Sequence, residues 1–371
     1  MIYHVMAEWE SFSQYSGGAI SRDVANLMRF DESRVVVAPR ADDTWGFATD
    51  RVLTLPQLGA YARLRGKRSL PSWMSKLIIR YLFRPLLSRV GDGDVVWVHD
   101  EPFFSEALEA PVHFRRAKLV HHSHSSISSL ISRGMFRPFV PDAVVFVSEA
   151  MRQECSRLFQ GVSNTYVIHN GVDDGLFYPL RGHTPQNNAV PTVLYVGRLV
   201  PEKGIHVLSE AMRILRDRGV AVACKVVGAS FSGGSRVSPY MKKLAAESPS
   251  NVEFLGHRFG EDLAREFRHA DIFCCPSIWQ EPFGNVNIEA MASGVPVVAT
   301  RVGGIPEIAA EGGVVLVEPG SPISLADAID SLVTDRDLRI KLACEAYKSA
   351  QRRFTWSAIY KQVQHVTESM R

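Results

Sequence analysis

Apolar and polar positions along this chain alternate between two periods. Short apolar runs at Ile2–Met6, Val35–Ala38, Val95–Val98, Lys118–His121, Ala143–Val147 and Thr165–Ile168 predict strands in the first half. Runs at Thr192–Val196, Ala221–Val227, Val252–Leu255, Ile272–Cys275, Val295–Ala299 and Val314–Val317 do so in the second. Helical patterns separate them, and regular β-then-α alternation predicts parallel sheets covered by helices. Arg181–Pro191 is polar and rich in Asn, Gly and Pro, which reads as a linker. The expected domains are therefore residues 1–180, 192–353 and a tail helix over 354–371. Ser72–Val90 also reads as a helix, with Pro85 set to kink or break it.

Length and composition narrow the class. A chain of 371 residues favours two domains, and 46% hydrophobic with 22% charged residues is ordinary for a soluble protein. No apolar run approaches the ~20 residues of a membrane span, and Met1–Met6 lacks the basic start of a signal peptide. Cys155, Cys224, Cys274, Cys275 and Cys344 show no CxxC spacing and read as reduced core residues, which predicts a cytoplasmic protein. There is no internal sequence repeat.

The net charge of +3 is modest but unevenly spread. Arg51 to Gly91 holds Arg51, Arg63, Arg65, Lys67, Arg68, Lys76, Arg80, Arg84 and Arg89 and no acidic residue. Trp73, Leu77, Ile78, Tyr81, Leu82, Leu86 and Leu87 interleave with them. Two readings stand side by side: a surface lying in an anionic leaflet, on the inner face of the cell membrane, or an amphipathic helix packed on its own domain with solvated cations. No recognition motif accompanies the patch, so nucleic acid is not an expected partner.

The candidate chemistry concentrates in four places. The strand Ile272–Cys275 leads into Ser277-Ile278-Trp279-Gln280-Glu281-Pro282-Phe283-Gly284-Asn285-Val286-Asn287-Ile288-Glu289-Ala290-Met291-Ala292-Ser293-Gly294-Val295-Pro296. Glu281 and Glu289 flank a helix N-terminus there, whose N–H groups suit an anion. The second place is Val193-Leu194-Tyr195-Val196-Gly197-Arg198-Leu199-Val200-Pro201-Glu202-Lys203-Gly204, where a strand ends at Gly197 and two cations follow. Such cations stabilise charge growing on a departing diphosphate, Arg as a fork and Lys as a point charge. Third, Gly17-Gly18 stands after the first strand and before a helix, where glycine lets backbone approach a phosphate or sugar. Fourth, Lys118-Leu119-Val120-His121-His122-Ser123-His124 clusters histidines at a strand end. Clustered histidines can bind zinc, but no Cys, Asp or Glu lies near in sequence, and no metal is expected. Asp92-Gly93-Asp94 reads as a turn.

These motifs resemble the retaining glycosyltransferases of family 4. The signature is two Glu separated by seven residues within E-P-F-G-x-x-x-x-E-A-M-A-x-G-x-P-V-V-A, together with a G-R-x-x-x-x-K-G loop. Ile168-His169-Asn170-Gly171-Val172-Asp173 through Pro179 resembles the segment that ends the first domain in that family. The resemblance implies an α/β fold of the GT-B kind, two Rossmann-like parallel-sheet domains facing each other across a cleft, with a C-terminal helix crossing back to the N-terminal domain. It implies that Arg198 and Lys203 hold the donor diphosphate, Glu281 lies beside the transferred sugar, and Glu289 binds the ribose. His124, or His122 as second choice, would face the sugar hydroxyls. Gly17 and Gly18 would face donor and acceptor, while Gly197, Phe283, Gly284 and Asn285 would line the diphosphate. Ligands in such sheets collect at strand C-terminal ends, which places the base near Gly228 and Arg258.

The expected activity is transfer of a hexose or N-acetylhexosamine from a nucleotide diphosphate sugar, a UDP-sugar first, to a glycan or lipid-linked acceptor. No cofactor is expected beyond that donor substrate. The wording of the motifs is closest to bacterial enzymes of polysaccharide, lipopolysaccharide or spore-coat assembly. Two rivals are a nucleotide-sugar epimerase on the same fold and a non-catalytic glycan-binding homologue.

Overall fold

The computed structural model describes residues 1–13, 18–43, 45–65, 71–125, 139–180, 190–229 and 238–370. The chain divides into two compact units, Met1–His169 with Ile359–Arg371, and Asn170–Ala358. Most of the linker segment, residues 181–189, lies outside the described residues, as do Gly17, Lys67 and Arg68.

The first unit is built on β1 (Ile2–Val5), β3 (Arg34–Ala38), β5 (Val52–Thr54), β6 (Val95–His99), β7 (Lys118–Ser123), β8 (Ala143–Phe146) and β9 (Thr165–Val167). Their order is β5-β3-β1-β6-β7-β8-β9, every neighbour parallel. A small parallel pair, β2 (Ser11–Phe12) and β4 (Arg40–Ala41), stands beside it. Strand alternation sends Tyr3, Val5, Val35, Val37, Val96, Val98 and Leu119 into one apolar core. Met6, Val36 and Ala38 pack the opposite face under the helix Ala19–Phe30 through Val24, Ala25 and Met28.

In the second unit, β10 (Thr192–Val196), β11 (Ala223–Val227), β12 (Val252–Gly256), β13 (Ile272–Cys275), β14 (Val297–Thr300) and β15 (Val314–Val317) form a six-stranded parallel sheet ordered β12-β11-β10-β13-β14-β15. Strand order reverses at β10, so its C-terminal end and that of β13 open a crevice where ligands collect in such sheets. Both units are doubly wound α/β folds, as the alternation predicted.

Several boundaries differ from the sequence expectation, each for a local reason. The strand expected from Val295 begins at Val297, because Gly294 turns left-handed (φ 71°) and the Val295 N–H caps the preceding helix at Ala290 O. The single helix expected over Ser72–Val90 divides at Phe83 into Ser72–Leu82 and Arg84–Leu87, with Pro85 in the first turn of the second piece. The edge strand β5 was not anticipated, being only three residues long with a single buried side chain.

The last helix, Trp356–Ser369, joins the first unit from Ile359 onward. Its buried side chains Ile359, Val363 and Val366 recur at helical spacing, each contributing roughly 1.5–3 kcal/mol of burial. Tyr360 stacks on Phe30 at 5.1 Å, and the Arg34 guanidinium lies 5.4 Å from the Tyr360 ring centre. At its start Trp356 packs so tightly on Gly171 that a Cβ there would meet the indole at 2.5 Å. Val172 N–H donates to Phe354 O at 2.7 Å alongside. Asn-Gly-Val at 170–172 is thus a docking point for the helix start.

Candidate functional site

The two strong motifs meet at the crevice of the second unit. Pro201–Lys203 forms a single 3-10 turn after β10, and Gly204, at φ 69°, begins the helix Ile205–Asp217. A Cβ at Gly204 would lie 1.8 Å from Pro276 O, so only glycine lets this turn close on the end of β13. Ile278 N–H donates to Glu202 O at 3.0 Å and locks the two loops together. Lys203 is delivered onto Glu281: its Nζ donates to Oε1 at 2.8 Å and Oε2 at 2.7 Å. Ser277 Oγ and Trp279 Nε1 donate to the same Oε2 at 3.1 and 3.0 Å, and Lys203 Nζ stands 5.3 Å from the Trp279 ring centre. The carboxylate is therefore held by three donors, one of them a full charge.

The backbone of Glu281 is fixed as firmly. Gly304 N–H donates to Glu281 O at 2.9 Å, and Gly303 N–H donates to Gln280 Oε1 at 2.9 Å. Gly303 is left-handed (φ 51°), and a Cβ on it would come within 2.0 Å of Glu281 O. The Gly303-Gly304 pair, which no sequence motif singled out, clamps Glu281 in place. Ser277 and Trp279 were also missed as partners; their place within the motif, four and two residues before Glu281, was the available signal.

Gly284 (φ 99°) precedes the helix Asn285–Ala292. Asn287 Nδ2 donates to Gly284 O at 3.0 Å, and Asn170 Nδ2 donates to Asn285 Oδ1 at 2.8 Å. Phe283 turns its ring inward, edge-on to Phe354 at 5.8 Å. Glu289 is buried one turn into this helix. Arg198 is exposed, its carbonyl accepting from Tyr195 OH at 2.9 Å. Gly228, at φ 155°, lets β11 end against Gly197 O, which a Cβ would meet at 1.9 Å. Arg258 is exposed after β12, with Nη1 donating to His257 O at 3.3 Å. A groove of about 580 Å³ elsewhere in this unit is lined by His206, Glu210, Arg213 and Ile278 and by none of the motif's charged residues.

In the first unit the structure extends the histidine cluster beyond its sequence neighbours. Parallel register puts Arg34, His4, His99 and His122 on one sheet face, with His124 just past the end of β7. Arg34 Nη1 lies 2.9 Å from His4 Nε2, His4 Nδ1 lies 2.9 Å from His99 Nε2, and His99 Nδ1 lies 3.0 Å from His124 Nε2. The His122 ring lies against His124 with centres 4.1 Å apart and planes tilted by 35°. Burial holds His124 and His121 down to about 3, and burial together with neighbouring positive charge holds His4, His99 and His122 well below the usual imidazole range. The imidazoles are neutral.

The absence of acidic neighbours inferred from sequence does not hold in space. Asp100, after β6 and at φ 55°, accepts from His124 N–H at 3.0 Å and Ser125 N–H at 2.8 Å, and Asp23 Oδ2 lies 3.9 Å from His124 Nδ1. Burial raises the Asp100 carboxyl above its ordinary range, opposed by these donors. Ring nitrogens of His99, His122 and His124 fall within 4.8 Å of one another, close enough for a divalent cation, but those joining His99 to its neighbours are engaged in hydrogen bonds.

Gly18 N–H, expected to face a ligand, donates to Glu10 Oε1 at 2.8 Å. Ser21 N–H reaches the same oxygen at 3.4 Å, so Glu10 sits at the N-terminus of the helix Ala19–Phe30. Burial raises the Glu10 carboxyl, against these two hydrogen bonds. No sequence pattern linked Glu10 to that helix. Asp92-Gly93-Asp94 is a turn (Gly93 φ 74°), with Asp94 binding the N-terminal amine at 2.6 Å.

Comparison with known proteins follows the same division. Residues 180–349 match the family model described as glycosyl transferases group 1, and residues 21–176 match glycosyltransferase family 4. The spore coat protein SA of Bacillus subtilis is 28% identical over 62% of this chain and 65% of its own length, so the match spans just under two thirds of that relative. The phosphatidyl-myo-inositol mannosyltransferase of Mycobacterium leprae is 27% identical over 94% of this chain and 91% of its own length. Among solved structures, Anabaena Alr3699/HepE in complex with UDP-glucose superposes with a TM-score of 0.71 at 21% identity, covering 100% of both chains. That likeness establishes the GT-B fold.

Proposed function

The chain belongs to the group 1, family 4 glycosyltransferases, and we propose that it moves a hexose or N-acetylhexosamine from a nucleotide diphosphate sugar to an acceptor hydroxyl with retention of configuration. The observation that carries this reading is the Lys203–Glu281 pair at the reversal point of the second sheet, clamped by Gly204, Gly303 and Gly304. Arg198 and Lys203 place two cations where a diphosphate would depart, and fixed charges there lower the barrier without reorganising in the transition state. The N-terminus of Asn285–Ala292 adds its N–H groups. In this reading Arg198, with Lys203 held beside Glu281, meets the charge of the leaving group, and the proposed reaction needs no metal. The departing phosphate oxygen takes the proton of the incoming hydroxyl on the same face, and no strong protein base is needed. Glu281 is not the nucleophile in this scheme: three donors hold its oxygens and weaken its attack.

A UDP-sugar is the first donor to test, supported by the UDP-glucose bound to the Anabaena structure. A lipid-linked or growing glycan of the cell surface is the proposed acceptor, supported by the name of the mycobacterial relative. No described helix is long and apolar enough to cross a membrane. Peripheral contact with the cytoplasmic leaflet would run through Ser72–Leu82, which exposes Trp73, Leu77 and Tyr81 at i, i+4 and i+8. The cations expected there are partly engaged elsewhere: Lys76 pairs with Glu106 at 2.6 Å, Arg80 donates to Ala107 O, and Arg51 donates to Met28 O and Asp31 O. The apolar stripe, flanked by Arg84, is thus the better candidate for the contact.

Incubation with UDP-, GDP- and ADP-sugars in excess EDTA, following release of the nucleotide and then transfer to acceptors, tests the reading. Release of a nucleoside diphosphate from one donor supports it. An epimerised sugar, or no turnover with any donor, rejects it.

A further inference from the structure

The buried line Arg34–His4–His99–His124 has a fixed hydrogen-bond direction. Guanidinium nitrogens only donate, so Arg34 Nη1–H makes His4 Nε2 an acceptor across 2.9 Å. A neutral imidazole with Nε2 unprotonated carries its proton on Nδ1. His4 Nδ1–H therefore donates to His99 Nε2 at 2.9 Å, which puts the His99 proton on Nδ1 as well. His99 Nδ1–H donates in turn to His124 Nε2 at 3.0 Å, leaving His124 with its proton on Nδ1. One obligate donor sets three tautomers, all of the Nδ1–H form that free imidazole side chains adopt less often. This direction holds for neutral rings, and burial of the side chains keeps them neutral. His124 Nδ1 stands at the C-terminal edge of the sheet, 3.9 Å from Asp23 Oδ2, while Asp100 fixes its backbone.

We propose that Arg34, His4 and His99 are positioning residues that preset His124 as an Nδ1–H hydrogen-bond donor toward a hydroxyl oxygen of the donor sugar. The sugar as recipient rests on the glycosyl-transfer reading; the tautomer does not. A residue two imidazoles away thereby decides whether the site offers a donor or an acceptor to its ligand. With His124 donating, the hydroxyl keeps its own proton for a carboxylate such as Asp23. With the other tautomer, His124 would accept, and both groups would compete for the same proton. A divalent cation shared by His99, His122 and His124 is the rival arrangement, and it requires the His99–His124 hydrogen bond to break.

The test is long-range proton–nitrogen NMR of the full chain labelled with ¹⁵N-histidine, at neutral pH and without ligand. The expected spectrum shows protonated Nδ1 and unprotonated Nε2 at His4, His99 and His124, and no change on adding and then chelating Zn²⁺. Arg34→Met should return His124 to a tautomer mixture, and Arg34→Gln, which keeps an N–H donor, should restore it. Arg34→Met should also lower donor-sugar turnover about tenfold, the loss of one oriented hydrogen bond, while UDP, which lacks the sugar, binds as before. Nε2–H or cationic His124 in the unmodified chain overturns the proposal. So does a zinc-dependent shift of the three rings, or an Arg34→Met spectrum identical to the unmodified one. Should Arg34→Met fail to fold, the unmodified spectrum alone decides. An intact tautomer pattern with no donor binding would refute the functional reading and leave the relay standing.

Discussion

Replacing Lys203 by methionine removes its charge while keeping most of its length. At 2.7 and 2.8 Å, a charge pair in a partly buried site attracts by roughly 6 kcal/mol at an effective dielectric near 20, before desolvation is subtracted. Lys203 and Glu281 side chains are 19% and 10% exposed, so both are largely desolvated. Removing one partner of a buried pair typically costs about 3–5 kcal/mol, and residual exposure puts this one at the lower end, near ~3. Glu281→Gln keeps the acceptor for Ser277 or Trp279 and should lose only ~1–2 kcal/mol. The double variant should be more stable than the sum of losses implies, by roughly 1–3 kcal/mol, because neither charge is left alone. Two units need not unfold together, so native-state hydrogen exchange of β10 and β13 amides is the assay. Additivity of the two single losses within about 0.5 kcal/mol would refute the pairing.

Gly303→Ala should destabilise the Glu281 loop by about 2 kcal/mol or more beyond Gly320→Ala, measured by the same exchange. Both glycines are left-handed, but a Cβ on Gly303 meets Glu281 O at 2.0 Å and one on Gly320 meets nothing within 4 Å; equal losses would sink the clamp. Stability of the first unit should fall as pH drops from about 6.5 toward 5. His4, His99, His121, His122 and His124 have depressed folded values, so the unfolded chain takes up protons that the folded one refuses, at ~1.4 kcal/mol per pH unit for each fully titrating ring. The window for His121 and His124 runs from about 6.5 down to about 3; the raised Glu10 and Asp100 carboxyls oppose it, because the folded chain takes up their protons at higher pH than the unfolded one. A flat unfolding free energy between pH 7 and 5 would contradict it. Trp73→Ser with Leu77→Ser and Tyr81→Ser should abolish sedimentation with phosphatidylglycerol vesicles at low salt while a soluble acceptor analogue is still glycosylated. Undiminished sedimentation would move the contact elsewhere.

The double-wound pattern was legible because parallel strands buried on both faces read as continuous apolar runs, as Ala143–Phe146 and Ile272–Cys275 do. Lys203 and Glu281 were legible because each lies within a short motif at a strand end. What tied them together was not: Gly303 approaches Glu281 from the far end of β14, and nothing in the intervening residues encodes that approach. The histidine line was invisible for the same reason. His4, Arg34, His99 and His124 come from four separate segments, and only the parallel register brings His4 opposite Trp97 and His99 opposite His122. The basic stretch was legible in composition and not in its contacts. Its charge count was plain, but Arg51, Lys76 and Arg80 turn to carbonyls and a carboxylate of their own unit.

The most direct measurement is calorimetric titration of UDP and UDP-sugars into the unmodified chain, Lys203→Met and Glu289→Ala. Glu289, buried one turn into Asn285–Ala292, should bind the ribose, and its loss should weaken UDP by about 1–3 kcal/mol, some five- to 150-fold. Lys203→Met should weaken it further than uridine, which carries no phosphate. Equal affinity for UDP in all three proteins would remove the crevice at β10 and β13 from the donor site and contradict the account.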